Sequence, residues 1–388
     1  MAAYDRDLMF VYMNTTKTIF GDNTAKSIGS EIDELGGTKV LLVTDATLRE
    51  AGLVERLEQW IGGKLVGTFD QCCPDSAVTL VNEGAAYAKE LGADCVVSLG
   101  GGSVIDTAKC ISIILKEGGQ LADYSGLQNL NRPITPHIAI PTTSGTGSEV
   151  TWAAVIKDWE AGRKLLFADY FIIPRVAILD PILVAGLPPM LTATTGMDAF
   201  CHAVEAVHSL QCEPMTDGMA MHAIRLLMEY MPTAVENGQD LIARGQQMIA
   251  ATMAGVAFGN AMIGLVHAMA HSIGALAGIP HGMANSILLP HCMVYNMDTV
   301  ADRYKVIAEA MGLYKPGMSD EEAGMAAVNG IWDLTKKMGI PQKLSEVGAK
   351  EEHLQPASVL SLSDGSIVYN PKPVFEEEEV MSVFRKAF

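Results

Sequence analysis

From Gly245 to Met297 the chain carries no Asp, Glu, Lys or Arg. The sequence as a whole is 19% charged, so a stretch of that length would ordinarily hold roughly ten charges. A segment so depleted belongs either in lipid or in a protein interior. This one is rich in Gly and Ala and contains Asn260, His267, His271, Pro280, His281, Asn285 and Pro290. Imidazoles are costly in hydrocarbon. The expectation is therefore a set of helices buried on all sides within a globular domain, with no membrane span.

The rest of the composition agrees with a large folded chain. At roughly 150 residues per domain, 388 residues suggest two or three domains, with ample core and no need of disulfides for folding. Lys plus Arg is 27 against 45 Asp plus Glu, a formal charge of −18. That argues against a nucleic-acid or anionic-membrane partner, since nothing supplies a phosphate-neutralising surface. The seven cysteines are odd in number and form no CxxC, which points to reduced thiols in a cytoplasm. The opening MAAYDRDLMF has early charges and no apolar core, so no signal peptide is expected.

The first half alternates in character. KVLLVT (39–44), LVGTFD (65–70), CVVSLG (95–100), HIAIPTT (137–143) and RVAILD (175–180) are of strand length. Helical patterns over 47–61, 76–91 and 103–116 lie between them. Such alternation predicts right-handed crossovers and a parallel sheet, with ligands at the carboxyl ends of the strands. Beyond Leu187-Pro188-Pro189 the β-branched runs give way to long Ala- and Met-rich helical patterns, such as 217–231 and 246–278. A boundary at 187/188 separates an α/β half, residues 1–187, from a helical half, residues 188–388. The acidic run EEEE (376–379) precedes an apolar pattern and suits a first helical turn.

Four constellations bear on chemistry. SLGGGSVIDTAK (98–109) ends a strand and opens a helix through three glycines. Such a turn lets backbone approach a pyrophosphate and aims free N–H groups at it, with Ser103 as a further donor. PTTSGTGSEVT (141–151) follows another strand, and Thr142 and Thr143 could donate to phosphate or to a nicotinamide amide. Asp45, at the end of KVLLVT, could accept both ribose hydroxyls of an adenosine and repel a 2′-phosphate. It could equally cap the helix that follows. Lastly, Asp198 and His202 stand at i and i+4, as do His267 and His271, with His281 ten residues on. One carboxylate with three imidazoles suits Fe(II) or Zn(II) rather than Mg(II) or Ca(II), and the spacing leaves open which histidine is unligated.

Taken together, GGGSVIDTAK, PTTSGTGSEVT, GMDAFCHAVE and HAMAHSIGALAGIPHGMANSILLPH resemble the iron-containing, or group III, alcohol dehydrogenases in order and spacing. The resemblance runs from KTIFG (17–21) to the C-terminus. It implies an N-terminal Rossmann-like dinucleotide-binding domain followed by an all-helical metal-binding domain. Carried over by position, it implies Asp198, His202, His267 and His281 as metal ligands and His271 as a proton relay. Gly101, Gly102 and Ser103 fall on the pyrophosphate loop. Asp106, Thr142, Thr143 and Lys164 fall on positions lining the cofactor cleft. Asp45 falls on the carboxylate associated with NAD rather than NADP.

Three stretches depart from the family pattern: Pro74-Asp75-Ser76, Trp152-Ala153-Ala154, and LSDGSIVYNPKP near the C-terminus. The last two border the substrate in relatives or bear on its shape. The reading that results is an NAD(H)-linked alcohol dehydrogenase or aldehyde reductase for a small primary alcohol or aldehyde. Fe(II) is the expected metal, with Zn(II) as the alternative, and a homodimer or larger homo-oligomer the expected assembly. Glycerol-dehydrogenase-like or dehydroquinate-synthase-like chemistry on the same scaffold is one rival. A metal-dependent hydrolase is another, but it would leave GGGS and Asp45 without purpose.

Overall fold

The computed structural model describes residues 8–74, 76–159 and 163–388. Asp75, singled out above, lies outside them, as does most of the N-terminal decapeptide. The chain divides into two compact units.

The first unit, Asn14–Ala185, is α/β. In chain order it contains β1 (Lys17–Phe20), α1 (Ile28–Glu34), β2 (Val40–Asp45), α2 (Ala46–Glu50), α3 (Leu53–Ile61), β3 (Leu65–Cys72), α4 (Val78–Glu90), β4 (Cys95–Gly100) and α5 (Gly102–Glu117). Then come β5 (Gly126–Leu127), β6 (His137–Pro141), β7 (Ala153–Asp158), β8 (Arg163–Ala168), β9 (Val176–Leu179) and α6 (Pro181–Val184). Six strands form a wholly parallel sheet in the order β1-β9-β6-β4-β2-β3. Successive residues of β2 serve opposite faces, as the period of two demands. Leu41 and Val43 pack with Val81, Ala85 and Ile111, while Val40 and Leu42 pack with Ile28, Ile32, Val54 and Leu57. Burial on both faces is why these strands read as continuous apolar runs.

Two features differ from the sequence expectation. The helix predicted over 47–61 is two helices, because Gly52 between them adopts a left-handed φ of 73° that stops α2. A second sheet, β5-β8-β7, was not legible, because its strands are short or half exposed.

His137, the first residue of β6, is buried with Nε2 2.8 Å from Ser98 Oγ. Burial, with Lys109 adding to it, pushes the imidazole down to about 3. The unfolded chain takes up this proton near its ordinary value of 6.5, whereas the folded ring stays neutral until about 3. Stability is therefore lost as pH falls from 6.5, by about 1.4 kcal/mol per pH unit for this group alone. Urea midpoints at pH 6.5, 5.5 and 4.5 should show a shallower acid slope for His137→Asn. An unchanged slope would remove His137 from the acid response.

The second unit is Gly186–Phe388, joined by the described segment that ends at Met13. Asn260 holds that segment, accepting from Met13 N at 2.7 Å and donating to Met13 O at 3.1 Å. Its helices are α7 (Pro189–His208), α8 (Pro214–Glu236), α9 (Leu241–Ala261), α10 (Leu265–Ala277), α11 (His281–Ala310), α12 (Asp320–Lys337), α13 (Glu351–Leu362) and α14 (Glu377–Ala387). Most of α7, α9 and α10 is buried on all sides, which accounts for the charge-free segment. No single helix among the described residues is long and apolar enough to cross a membrane. The pair α9 and α10 passes by length and composition only, and it bends by 105°. The acidic run sits in the first turn of α14, where Glu379 accepts from the Phe375 and Glu376 N–H groups.

Candidate metal centre and cofactor loops

Three helices of the second unit bring the carboxylate and the histidines together. The i, i+4 spacing puts Asp198 and His202 on one face of α7, and His267 and His271 on one face of α10. Gly278, in a left-handed conformation, ends α10, and Pro280 then stands at the start of α11, so that His281 opens that helix against both. Asp198 Oδ1 is 3.4 Å from His281 Nε2, 3.7 Å from His267 Nε2 and 4.0 Å from His202 Nε2. The donor atoms of Asp198, His267 and His281 all lie within 4.8 Å of one another. His202 is sandwiched between Phe258 and His267, with centroids 4.1 and 4.6 Å away. His271 stacks on His281 at 5.1 Å. Nitrogen donors converging on one buried carboxylate oxygen fit a borderline-soft divalent cation such as Fe(II) or Zn(II).

Groups behind these residues orient them. Glu205, fully buried on α7, accepts from His267 Nδ1 and, at 2.8 Å, from Val266 N. That leaves Nε2 as the nitrogen facing Asp198. Burial pulls the His267 imidazole down, but Glu205 and Asp198 more than offset it, holding it up at about 9. Asn285 Nδ2, on α11, donates to Asp198 Oδ1 at 2.7 Å and lies 3.0 Å from His281 Nε2 and 3.2 Å from His267 Nε2. Burial pushes the Asp198 carboxyl up, and the surrounding imidazoles of His202, His281 and His267 hold it far below the usual range. The sequence pattern assigns a role in the site to neither Glu205 nor Asn285. Glu205 was discoverable, since it lies one turn beyond His202 on the same helical stripe.

The residues that the resemblance assigns to the cofactor lie in the first unit: Asp45, Gly101 and Thr142 stand at the carboxyl ends of β2, β4 and β6, Ser103 and Asp106 lie in α5, and Lys164 lies near the start of β8. Asp45 ends β2 and caps α2, its Oδ1 accepting from Leu48 N at 3.0 Å. Gly101 is the N-cap of α5, and no side chain caps that helix. Thr143 lies directly over Gly101, and a Cβ on Gly102 would come within 2.7 Å of Thr146. The glycines thus have a packing role beyond ligand approach, since they seat the Thr142–Gly147 loop on the new helix. Thr142 N donates to Gly100 O at 3.0 Å, tying the two loops together. Asp106 is engaged within the unit: Oδ1 accepts from Ser148 Oγ at 3.0 Å and Oδ2 from Val155 N at 2.9 Å. Beside it, the fully buried Lys109 donates to Ala153 O at 2.7 Å and Thr151 O at 3.0 Å. Lys164 is exposed on β8, opposite Lys157, and its charge is felt at Asp106. Trp152 packs against Tyr170, ring centroids 5.2 Å apart.

A parallel α/β unit with an uncapped helix after a glycine turn, followed by a helical unit with a histidine-carboxylate cluster, is the architecture of a family of oxidoreductases. The chain belongs to the iron-containing alcohol dehydrogenase family: residues 15–181 match the family described as iron-containing alcohol dehydrogenase, and residues 192–388 match its C-terminal region. It is 40% identical over 384 residues to the 1,3-propanediol dehydrogenase of Klebsiella pneumoniae, covering 98% of this chain and 99% of that one. It is 38% identical over 372 residues to the NAD-dependent methanol dehydrogenase of Bacillus methanolicus, covering 95% and 97%. The solved structure of a 1,3-propanediol oxidoreductase matches with a TM-score of 0.95 at 39% identity, over 98% of this chain and 100% of that one.

Proposed function

We propose that this chain is an NAD-linked, iron-dependent reductase of small, unhindered aldehydes, or dehydrogenase of the matching primary alcohols. The observation that carries this reading is the convergence of the His202, His267 and His281 Nε2 atoms on Asp198 Oδ1. In it, those four residues hold the metal. When bound, a divalent metal supplies Lewis acidity to a substrate oxygen, and a nicotinamide supplies or takes the hydride. Relatives named for propanediol, methanol and lactaldehyde support a small oxygenated substrate.

The remaining roles belong to the chain's own groups. The uncapped start of α5, at Gly101, Gly102 and Ser103, offers N–H donors and a positive dipole end to the pyrophosphate. Thr142 and Thr143 flank it, and Asp106 and Lys164 complete the nucleotide side, Asp106 by holding the loop through Ser148. His271 exchanges a proton with the substrate oxygen or solvent. Asp45 accepts the ribose hydroxyls. The nearest cation on that helix, Arg49, is occupied by Asp70, Glu55 and Glu58, which leaves it poorly placed to greet a 2′-phosphate.

The test is an NADH-oxidation screen over short aldehydes with protein reconstituted with Fe(II) without oxygen. Turnover of at least one small aldehyde is expected, and absence of saturable NADH binding would overturn the reading. Cofactor choice has its own check. Asp45→Gly should narrow the NADH-over-NADPH preference by about 1–3 kcal/mol, through loss of a charge-assisted contact and of a repulsion. Glycine is nearly as good an N-cap, so α2 should survive. If the preference is unchanged, Asp45 serves only as a helix cap.

A further inference from the structure

His271 is gripped by a residue ninety-three positions away. Its Nδ1 lies 2.8 Å from Oδ2 of Asp364. Oδ1 of the same carboxylate accepts from Ser366 N at 2.8 Å, opening the short helical turn Gly365–Tyr369. That turn is itself anchored. Leu210 N donates to Tyr369 O at 3.0 Å, and the next residue, Asn370, exchanges amide hydrogen bonds with buried Asn296 at 2.8 and 3.0 Å. The carboxylate therefore stands on a fixed platform, and the stacking of the His271 ring on His281, 16° from parallel, fixes the ring plane.

We propose that Asp364 is the positioning residue that holds His271 as its Nδ1–H tautomer and so makes Nε2 the atom that gives and takes the proton. An ionised carboxylate can only accept, so Nδ1 must donate to it, which leaves Nε2 as the ring nitrogen turned away from Asp364. Burial pushes the Asp364 carboxyl up, but the hydrogen bonds from His271 and Ser366 hold it well below the usual carboxylate range. The His271 side chain is 28% exposed, so the ring is not sealed from water. This inference deepens the reading of His271 as a proton relay and rests on it. It also gives a purpose to the LSDGS stretch.

Asp364→Asn keeps an oxygen for the Ser366 N–H but can offer an N–H to His271, which favours the opposite tautomer. The expected result is a fall in kcat of about 10- to 100-fold, the usual cost of losing an orienting partner. KM for aldehyde and NADH should stay close to that of the wild type. Adding His271→Ala to Asp364→Asn should cost little more than His271→Ala alone. The decisive readout is independent of turnover: nitrogen NMR of histidine-labelled, Zn(II)-loaded enzyme, with His271 assigned by its loss in His271→Gln. Wild type should show the neutral ring protonated at Nδ1, and Asp364→Asn should move it toward Nε2–H. A wild-type ring protonated at Nε2, or an Asp364→Asn variant with unchanged tautomer and kcat, would overturn the proposal. If the wild type turns over no aldehyde, the proposed function fails, while the NMR result still decides the Asp364–His271 pairing.

Discussion

His267→Ala is expected to abolish stoichiometric metal binding and nearly all turnover. Losing a mere partner of a ligand typically costs 10- to 100-fold in metal affinity, and losing the ligand itself should cost more than about 100-fold. The structure adds a second consequence. His267 is the side-chain partner of the fully buried Glu205 carboxylate, which would keep only the Val266 N–H. A buried charge stripped of its partner costs about 3–5 kcal/mol, so the variant should also be less stable before any metal is added. Glu205→Gln provides the graded control: it keeps a hydrogen-bonding group behind His267 and should weaken metal binding by about 10- to 100-fold. Elemental analysis and metal titration of both variants, alongside urea unfolding of the metal-stripped proteins, separate the two effects. Full metal content in His267→Ala would exclude His267 as a ligand.

The parts of this site legible in the sequence were those written at helical spacing. Asp198 with His202, and His267 with His271, each occupy one face of one helix, so i and i+4 announce them before any fold is known. The charge-free segment likewise announces its own burial, because most of α9 and α10 has no solvent face to decorate. The roles of Asp364 and Asn285 were not legible, for the opposite reason. Their partners are chosen by packing: His271 meets Asp364 only after α10 settles against the Gly365–Tyr369 turn, and no local period encodes that. The parallel strands β2, β4 and β6 were legible because both faces are buried, whereas β7 and β8 expose apolar Val155 and Leu166, so no polar–apolar alternation marks them in the sequence. The glycine turn was found, but its meaning was incomplete. Pyrophosphate approach explains free N–H groups, yet the contacts of Thr143 and Thr146 give those glycines a second reason to be there.

Lys109 is the residue in that turn's helix whose removal should be felt most. Its side chain is fully buried, an uncommon place for an ammonium group. It donates to Thr151 O, Thr151 Oγ1 and Ala153 O, at 3.0, 3.2 and 2.7 Å, which uses all three of its hydrogens. Asp106 Oδ1 lies 3.8 Å away. Burial pulls the ammonium down from its ordinary range and pushes the Asp106 carboxyl up, and each charge offsets part of the shift in the other. Lys109→Met fills similar volume but leaves two carbonyls without a donor and Asp106 without its nearest cation. The expected loss is about 3–5 kcal/mol of unfolding free energy. The end of the Pro141–Thr151 loop is what Lys109 ties to α5, so the nucleotide loops should loosen and NADH should bind more weakly even in the folded fraction. Adding Asp106→Asn should recover part of the lost stability, because much of the cost is the stranded carboxylate; the two substitutions should thus be non-additive. Urea midpoints for the two single variants and the double variant, with NADH fluorescence titrations at a temperature where all are folded, measure both effects. Additive losses, or a Lys109→Met cost below about 1 kcal/mol, would show that the ammonium is not what holds the two loops together.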